Sequence, residues 1–325
     1  MFRPLAMLCL FCLAALALVA TASAAGHGNE AALDPIMGEF AGDLSLAAGQ
    51  TVKAEGKVIA DENNNYRIVI LYPAGDPKAT RIELAGTGKD GKVTIKGEAS
   101  GSVTKEDLAI TLKQGTAKMT RVERKSPTLG KHPPAGAVVL LPFEEGKPTN
   151  LDQWVKNQWT CQPDGSVLAR GGDIGTKQQF GDCKLHVELC VPFMPAARGQ
   201  GRGNSGVYMH GRYEIQVLDS FGLTENPGEC AAIYGQKAAC VNASLPPGQW
   251  QTYDVDFKAP KFDDAGKQIK GAVITVVHNG VKVIDAFETK NVTGGAWGAP
   301  AKTGPVRLQF HGNPVRFRNT WLVEG

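Results

Sequence analysis

The segment Tyr213-Glu214-Ile215-Gln216-Val217 alternates apolar and polar residues with a period of two. Successive side chains of a β-strand point to opposite faces, so Tyr213, Ile215 and Val217 go to a core and Glu214 and Gln216 go away from it. Extended back by two positions, the outward row also holds Arg212. A merely solvated sheet face carries Lys, Ser and Thr. A row of Arg, Glu and Gln can orient and protonate a polar ligand, so this strand presents a binding surface.

The rest of the chain is built in the same way. Glycine and proline are plentiful (39 and 19 residues) and long helical periodicity is almost absent, which makes the chain all-β. Short strands are expected at 52–59, 66–71, 81–84, 92–96, 108–112 and 118–122, separated by turn clusters such as Asp61-Glu62-Asn63-Asn64-Asn65 and Lys89-Asp90-Gly91. Even spacing of this kind reads as a small antiparallel meander, closing into a barrel or sandwich, over 25–125. It contains no cluster of catalytic residue types and reads as an accessory domain. Residues 126–136, rich in Pro and Gly, cannot sit inside a sheet and form a linker, with His132 solvated in it. Residues 137–325 hold a second domain with strands at 138–141, 185–189, 207–209, 213–218, 253–257, 272–278, 281–285, 306–310 and 315–323. Asn279-Gly280 between two of them signals a type I′ hairpin, which makes His278 a flanking residue. Strands in this number with long irregular loops suggest a two-sheet jelly roll.

The first 24 residues have the form of an export signal: Arg3, an apolar run from Leu5 to Ala20, and the small-residue site Ala22-Ser23-Ala24. The run is short and Ala-rich for a membrane span, so the mature protein is expected to be exported, periplasmic or extracellular, with no span left after cleavage. The formal charge of +3 falls to +2 once Arg3 is removed, too balanced to argue for nucleic acid. Five cysteines remain: Cys161, Cys183, Cys190, Cys230 and Cys240. In an oxidising compartment the short Cys230–Cys240 loop is the expected disulfide. No Cys/His spacing suggests structural zinc.

Alternation places further chemistry-bearing groups on non-core faces. His186 and Glu188 face away from Leu185, Val187 and Leu189; Gln309 and His311 face away from Leu308 and Phe310; Arg316 and Arg318 face away from Val315 and Phe317. If these strands share one curved sheet, the groups line a single groove. The loop Gly201-Arg202-Gly203-Asn204-Ser205-Gly206 matches G-x-G-x-x-G but precedes a strand, so it fails the dinucleotide test. It would deliver Asn204 and Ser205 to the groove rim. Glu214, Gln216 and Asp219 resemble in spacing the Glu-x-Asp-x-x-Glu strand of laminarinase-type endo-glucanases. The middle carboxylate is a Gln and the last acid is shorter, so the two-carboxylate mechanism is incomplete.

Several separated motifs then occur in a recognisable order. They are Gly203-Asn204-Ser205-Gly206-Val207-Tyr208, Gly211 to Ser220, Gly248-Gln249-Trp250-Gln251-Thr252-Tyr253-Asp254, His278-Asn279-Gly280-Val281, and Leu308-Gln309-Phe310-His311-Gly312 running into Val315-Arg316-Phe317-Arg318-Asn319. Over about 137–325 the chain resembles the 3-keto-disaccharide hydrolase family. The resemblance implies a concanavalin A-like jelly-roll sandwich that cleaves the glycosidic bond of a small carbohydrate already oxidised at C3. The ketone acidifies the C2 proton, so one base suffices for elimination at C1, and water then adds back. The expected assignment is Glu214 as acid/base, with Glu188 next in line. His311, Arg212 and Arg316 would polarise the carbonyl, and Asn204, Ser205, Gln216, Asp219, His186, Gln309 and Arg318 would line the substrate groove. No cofactor is evident. A divalent cation could hold the enolate instead, and the sequence leaves that open. The competing class is a non-catalytic, lectin-like module in which Tyr208, Trp250 and Trp297 stack on sugar rings.

Overall fold

A computed structural model describes residues 31–76, 78–155 and 158–325. The expected export signal lies outside the described residues. The chain first makes eight consecutive strands: β1 (Gly38–Leu46), β2 (Thr51–Ala60), β3 (Asn65–Tyr72), β4 (Thr80–Lys89), β5 (Lys92–Ile95), β6 (Ser100–Val103), β7 (Asp107–Leu112) and β8 (Gly115–Val122). Each pairs antiparallel with the next, and β1 returns to β8, so the meander closes into a barrel. Left-handed backbone at Asn63 and Asn64, and at Asp90 and Gly91, turns the chain between strands. Alternate residues such as Phe40, Leu44, Val58, Ile68, Val93, Leu108 and Ile110 fill the interior. Strands β1 and β6 were not foreseen. Their Gly, Ala and Ser content hides the alternation that the pairing reveals.

The second half begins with β9 (Val138–Leu141), followed by four short strands, β10 (Trp154–Val155), β11 (Thr160–Cys161), β12 (Val167–Leu168) and β13 (Ile174–Thr176). Then come β14 (Cys183–Cys190), β15 (Ser205–Met209), β16 (Tyr213–Val217), β17 (Gln251–Lys258), β18 (Lys261–Phe262) and β19 (Gln268–Lys270). The last four are β20 (Val273–His278), β21 (Val281–Glu288), β22 (Arg307–Leu308) and β23 (Arg316–Glu324). Two sheets result. The smaller has the order β10-β13-β22-β15-β16, and the larger β11-β12-β23-β14-β17-β20-β21 with β9 alongside β23. Val207, Tyr213, Ile215, Val217 and Leu308 of the smaller sheet share one core with Leu185, Val187, Leu189, Val255, Phe257, Ile274 and Phe317 of the larger. This is the expected β-sandwich. The hairpin at Asn279-Gly280 has both residues at positive φ (51° and 82°), as a type I′ turn requires.

Barrel and sandwich touch directly. Phe193 and Phe221 of the sandwich pack into the apolar cluster of the barrel. Arg81 donates to the Gly222 carbonyl at 2.6 Å, and Arg124 donates to the carbonyls of Ala243 and Ser244 at 3.2 Å each. The linker is not a free tether. Ser126 is buried, and its hydroxyl meets Thr252 Oγ1 at 2.6 Å. Thr128 donates to Asp254 at 2.6 Å, the Gly130 amide donates to Glu188 at 2.6 Å, and the Lys131 carbonyl accepts from Asn319 and Trp321. Residues 126–131 thus form a strap across the outer face of the larger sheet. His132 is exposed.

All five cysteines among the described residues are free thiols, which corrects the expected Cys230–Cys240 disulfide. Cys230 is buried with its sulfur 3.0 Å from the Tyr253 hydroxyl, whereas Cys240 is exposed and turned to the Lys282 carbonyl at 3.5 Å.

Candidate active site on the smaller sheet

Register decides which side chains meet. Arg307 of β22 lies opposite Tyr208 of β15, and Tyr208 lies opposite Glu214 of β16. One row therefore crosses three strands on the outer face. The next row runs from Gln309 through Gly206 to Gln216: Gly206 pairs with Gln216, and its carbonyl accepts from the Gln309 amide at 2.9 Å. Gly206 contributes no side chain, and Glu214 leans into that space. A methyl group at Gly206 would lie 2.5 Å from Glu214 Oε1 and 2.8 Å from the Tyr208 ring. Only glycine leaves the carboxylate where it is.

Glu214 is 4% exposed. Its backbone is fixed by Thr293 Oγ1, which accepts its amide at 2.9 Å, and by the Tyr234 amide, which donates to its carbonyl. Segments around 234 and 293 thus cover the strand and keep water off the carboxyl. Burial pushes the Glu214 carboxyl up to about 7, against a hydrogen bond from Tyr208 and the nearby charge of Arg307. The Tyr208 hydroxyl is shared between Glu214 and the Gly294 carbonyl at 3.0 Å, and it accepts from Gln309 Nε2 at 3.2 Å. Burial raises the Tyr208 phenol far above its ordinary value, so it stays a donor at neutral pH. Arg307 is held by Asp173 through Nε at 2.7 Å and lies over Tyr208, 4.1 Å from the ring centroid. Its guanidinium also stacks against Trp297, which is 43% exposed at the edge of the site. Gln309 Oε1 is buried without a hydrogen-bond partner and is an unspent acceptor beside this group.

The remaining expected site residues are distributed differently, and four corrections follow. First, there is no single groove. Glu214, Gln216 and Gln309 lie on or next to the smaller sheet, whereas His186, Glu188, Arg316 and Arg318 belong to β14 and β23 of the larger sheet, on the opposite side of the sandwich. Period-two alternation separates the faces of a strand but does not say which sheet the strand joins. Second, the cation beside Glu214 is Arg307. Arg212 sits in the turn before β16, where its guanidinium donates to the carbonyls of Ala299 and His210 and ties down a loop. Third, Asn204 and Ser205 are buried fasteners, not rim residues: Asn204 bonds Gln200, its amide donates to Asn313, and Ser205 donates to the Gln309 carbonyl. Fourth, Asp219 is buried in an ion pair with Arg202 at 3.2 Å and caps the Phe221 amide. Gln216 is likewise engaged, donating to Gln200 and Gly228. His311 is exposed on the loop between Gln309 and Asn313, whose two ends are fastened to Gly206 and Asn204.

The polar group of the larger sheet is a compact network of its own. His186 is fully buried, with Nδ1 2.8 Å from Asp254 and Nε2 3.6 Å from Glu188. Trp321 stacks on its ring at 5.0 Å. Glu188 also accepts from Arg318 at 2.7 Å, Asn319 at 2.8 Å and the strap amide of Gly130. A bulge in β23 shifts the register between the pairs His186–Trp321 and Glu188–Arg318, and Asn319 there takes a positive φ of 41°. The extra residue turns the Asn319 amide toward Glu188. Burial opposes every charge here. The mutual hydrogen bonds outweigh it, raising His186 and lowering Glu188 and Asp254. With the strap above it, the cluster holds two parts of the chain together.

Sequence reasoning missed Arg307 and Asp173. Arg307 was legible, since it neighbours the core residue Leu308 and must point outward with Gln309. Asp173 lies just before the three-residue β13, too short to show a period. Among the described residues no three His, Cys, Asp or Glu side chains converge as a cation site requires. Asp173 is taken up by Arg307, so the donors around Glu214 do not fit a cation cradle.

The family of this β-sandwich and its solved neighbours place the chain with the carbohydrate-active hydrolases. Residues 137–323 match the family described as the 3-keto-alpha-glucoside-1,2-lyase-like domain, and the chain belongs to that family. Among solved structures it is similar to a candidate glycosyl hydrolase from Parabacteroides distasonis ATCC 8503, with 36% identity and a TM-score of 0.52 over 59% of this chain and 85% of that one. A second candidate glycosyl hydrolase from the same organism matches at 21% identity and a TM-score of 0.41, over 58% and 99% of the two chains. No curated protein matches the chain.

Proposed function

We propose that this hydrolase is exported and cleaves the glycosidic bond of 3-keto-disaccharides or related 3-keto-glucosides. The observation that carries the reading is the buried carboxyl of Glu214, raised to about 7 and set opposite Tyr208. Glu214 takes the C2 proton of the sugar, and the electron pair moves onto the C3 carbonyl oxygen. The enolate then collapses and expels the C1 oxygen with its aglycone, which leaves a C1–C2 double bond. Water adds across that bond to give the free 3-keto sugar. The second hydrogen of Gln309 Nε2 is the donor available to the developing enolate oxygen, and the Tyr208 hydroxyl can join it by turning from the Gly294 carbonyl. Arg307 lies over the Tyr208 ring and adds positive potential. One base is enough for this chemistry, which suits a site where Gln216 replaces a carboxylate and Asp219 is locked to Arg202. A two-carboxylate glycosidase needs both acids free at the scissile bond.

Exposed Trp297 also suits a module that only binds sugars, and one experiment separates the two readings. Trehalose and 3-keto-trehalose are incubated with the protein in heavy water, and both release of glucose and deuterium at C2 are followed. The proposal expects cleavage of the keto sugar alone, with deuterium gained at C2. Binding without cleavage would support the lectin-like module, and equal cleavage of both sugars would overturn the elimination route. Export is checked by mass spectrometry of the mature chain, expected to begin at Ala25.

A further inference from the structure

A cavity of about 500 Å³ lies where the barrel meets the sandwich, well within the size range of small-ligand sites. Its barrel wall comes from β1, β2 and the segment after β8, and its sandwich wall from the segments around 223–225 and 240–243. Lys57 is the group that its surroundings leave incomplete. Val58 and Gly56 on either side of it face the barrel interior, so period two turns Lys57 outward into the cavity. The residue is only 6% exposed. No carboxylate of the described residues forms an ion pair with its amine, which lies over the Phe221 ring at 6.0 Å. The side chain is thus largely buried while its amine opens on the cavity, where a ligand oxygen would serve as its acceptor.

The other charged groups of the cavity define what the ligand is. Arg124 is already used: it grips Glu39 with two nitrogens, at 2.8 and 3.3 Å, and donates to two sandwich carbonyls. Glu225 accepts the Asn242 amide through one oxygen at 2.6 Å, which leaves its other oxygen. Glu55, two residues from Lys57 on the same face of β2, also lines the cavity. Four carboxylates (Glu39, Glu55, Asp76 and Glu225) thus face three cations, of which Arg124 is held by Glu39 and Arg81 by Glu83 and the Gly222 carbonyl, so an anion is disfavoured. A free donor flanked by free acceptors matches vicinal hydroxyls, which both accept and donate. Leu223, Val241 and Val281 give the apolar wall that the C–H face of a sugar ring covers. We propose that this interdomain cavity is a second binding site, for a neutral polyhydroxylated molecule of mono- or disaccharide size, with Lys57 and Glu55 as its central donor and acceptor. Burial also lowers the Lys57 amine from its ordinary value, against the nearby charges of Glu39, Glu55 and Glu225.

The site stands apart from Glu214, so its test is independent of the proposed reaction. Calorimetric titration of the whole protein with trehalose, and with sodium gluconate as an anionic control, is compared across variants. Trehalose is expected to bind the wild type and Glu214→Gln alike. Lys57→Met, which keeps the aliphatic stem, is expected to weaken binding by about tenfold or more, the worth of one hydrogen bond to a charged group, with turnover of 3-keto-trehalose unchanged. Glu55→Gln, at a half-buried position, serves as the second variant should Lys57→Met fail to fold, and should also weaken binding. The proposal is overturned by trehalose binding that survives both changes, by no trehalose binding at all, or by gluconate binding more tightly than trehalose. None of those outcomes touches cleavage at Glu214.

Discussion

Gly206 and Glu214 occupy one volume: the space a β-carbon would fill at Gly206 is where the Glu214 carboxyl oxygen rests, 2.5 Å from that point. A glycine chosen for backbone freedom could be replaced by changing a turn. This one is set by the reach of a side chain on the neighbouring strand. Gly206→Ala should leave the sandwich folded and turn Glu214 aside. Misplacement of a catalytic group by about 1 Å can cost on the order of 10²-fold, and kcat on 3-keto-trehalose is the measurement. Unchanged kcat would mean the carboxyl works from another position.

Glu214→Gln keeps the shape of the side chain and removes the base. Turnover should fall by about 10²–10⁴, the usual worth of a positioned acid–base group. The wild-type pH profile carries a sign. A base must be ionised, and burial puts this carboxyl at about 7, so kcat/KM should rise as pH increases through that value and level off above it. A fall over the same range would make Glu214 an acid.

The His186 network should give the fold a two-sided pH optimum. His186 is raised from 6.5, so its contribution is complete below 6.5 and fades as pH rises through the higher folded value. Glu188 and Asp254 are lowered from 4.5 and 3.8, so theirs is complete above those values and fades as pH falls through the lower folded ones. Thermal melting from pH 3 to 9 should therefore peak between about 4.5 and 6.5, and His186→Gln should remove the alkaline-side decline. Glu188→Ala strands Arg318 and His186 and should cost about 3–5 kcal/mol at pH 6, as loss of one partner of a buried pair does.

The strap makes a boundary prediction. A fragment starting at Ser126 retains the hydrogen bonds from Ser126, Thr128, Gly130 and Lys131 to the larger sheet, and one starting at Ala137 loses them all. If barrel and sandwich fold separately, both fragments fold, and the longer should melt higher by at least ~5 °C, at ~1 kcal/mol per bond. An unfolded Ser126 fragment would show that the sandwich depends on the barrel.

Thiol labelling checks the cysteines. Cys161 and Cys240 are exposed, and Cys183, Cys190 and Cys230 are buried. A thiol reagent should modify two groups in the native mature chain and all five after denaturation.

What the sequence made legible follows from what a period of two can encode. The outward side of β14, β16 and β23 was correctly read from Leu185, Ile215 and Phe317, because a core face writes itself into alternate positions. Which sheet each strand joins was not legible. Glu188 and Glu214 look equivalent in sequence, yet they stand on opposite outer faces because pairing partners are chosen through long-range contacts. The Pro-rich linker was read correctly as non-sheet. Its attachment was missed, since Ser126, Thr128 and Gly130 act through hydroxyls and an amide that have no pattern of their own. Arg212 was misassigned for a related reason: parity continues past the end of a strand into a turn, where the backbone no longer obeys it.

The closed circuit of β1 to β8 has a bearing on how the molecule behaves in a crowded solution. Every wall strand has a neighbour on both sides, so the barrel offers no row of unsatisfied amides and carbonyls to which another chain could add. The rim strand β16 of the smaller sheet is likewise occupied, because residues 231–234 bond back to Glu214 and Gln216. On the larger sheet the last strand is β21, which carries Lys282 paired to Asp285, charges of the kind that discourage strand-to-strand growth. The opposite rims, β10 and β11, are only two residues long, so little strand edge is left for another chain to extend.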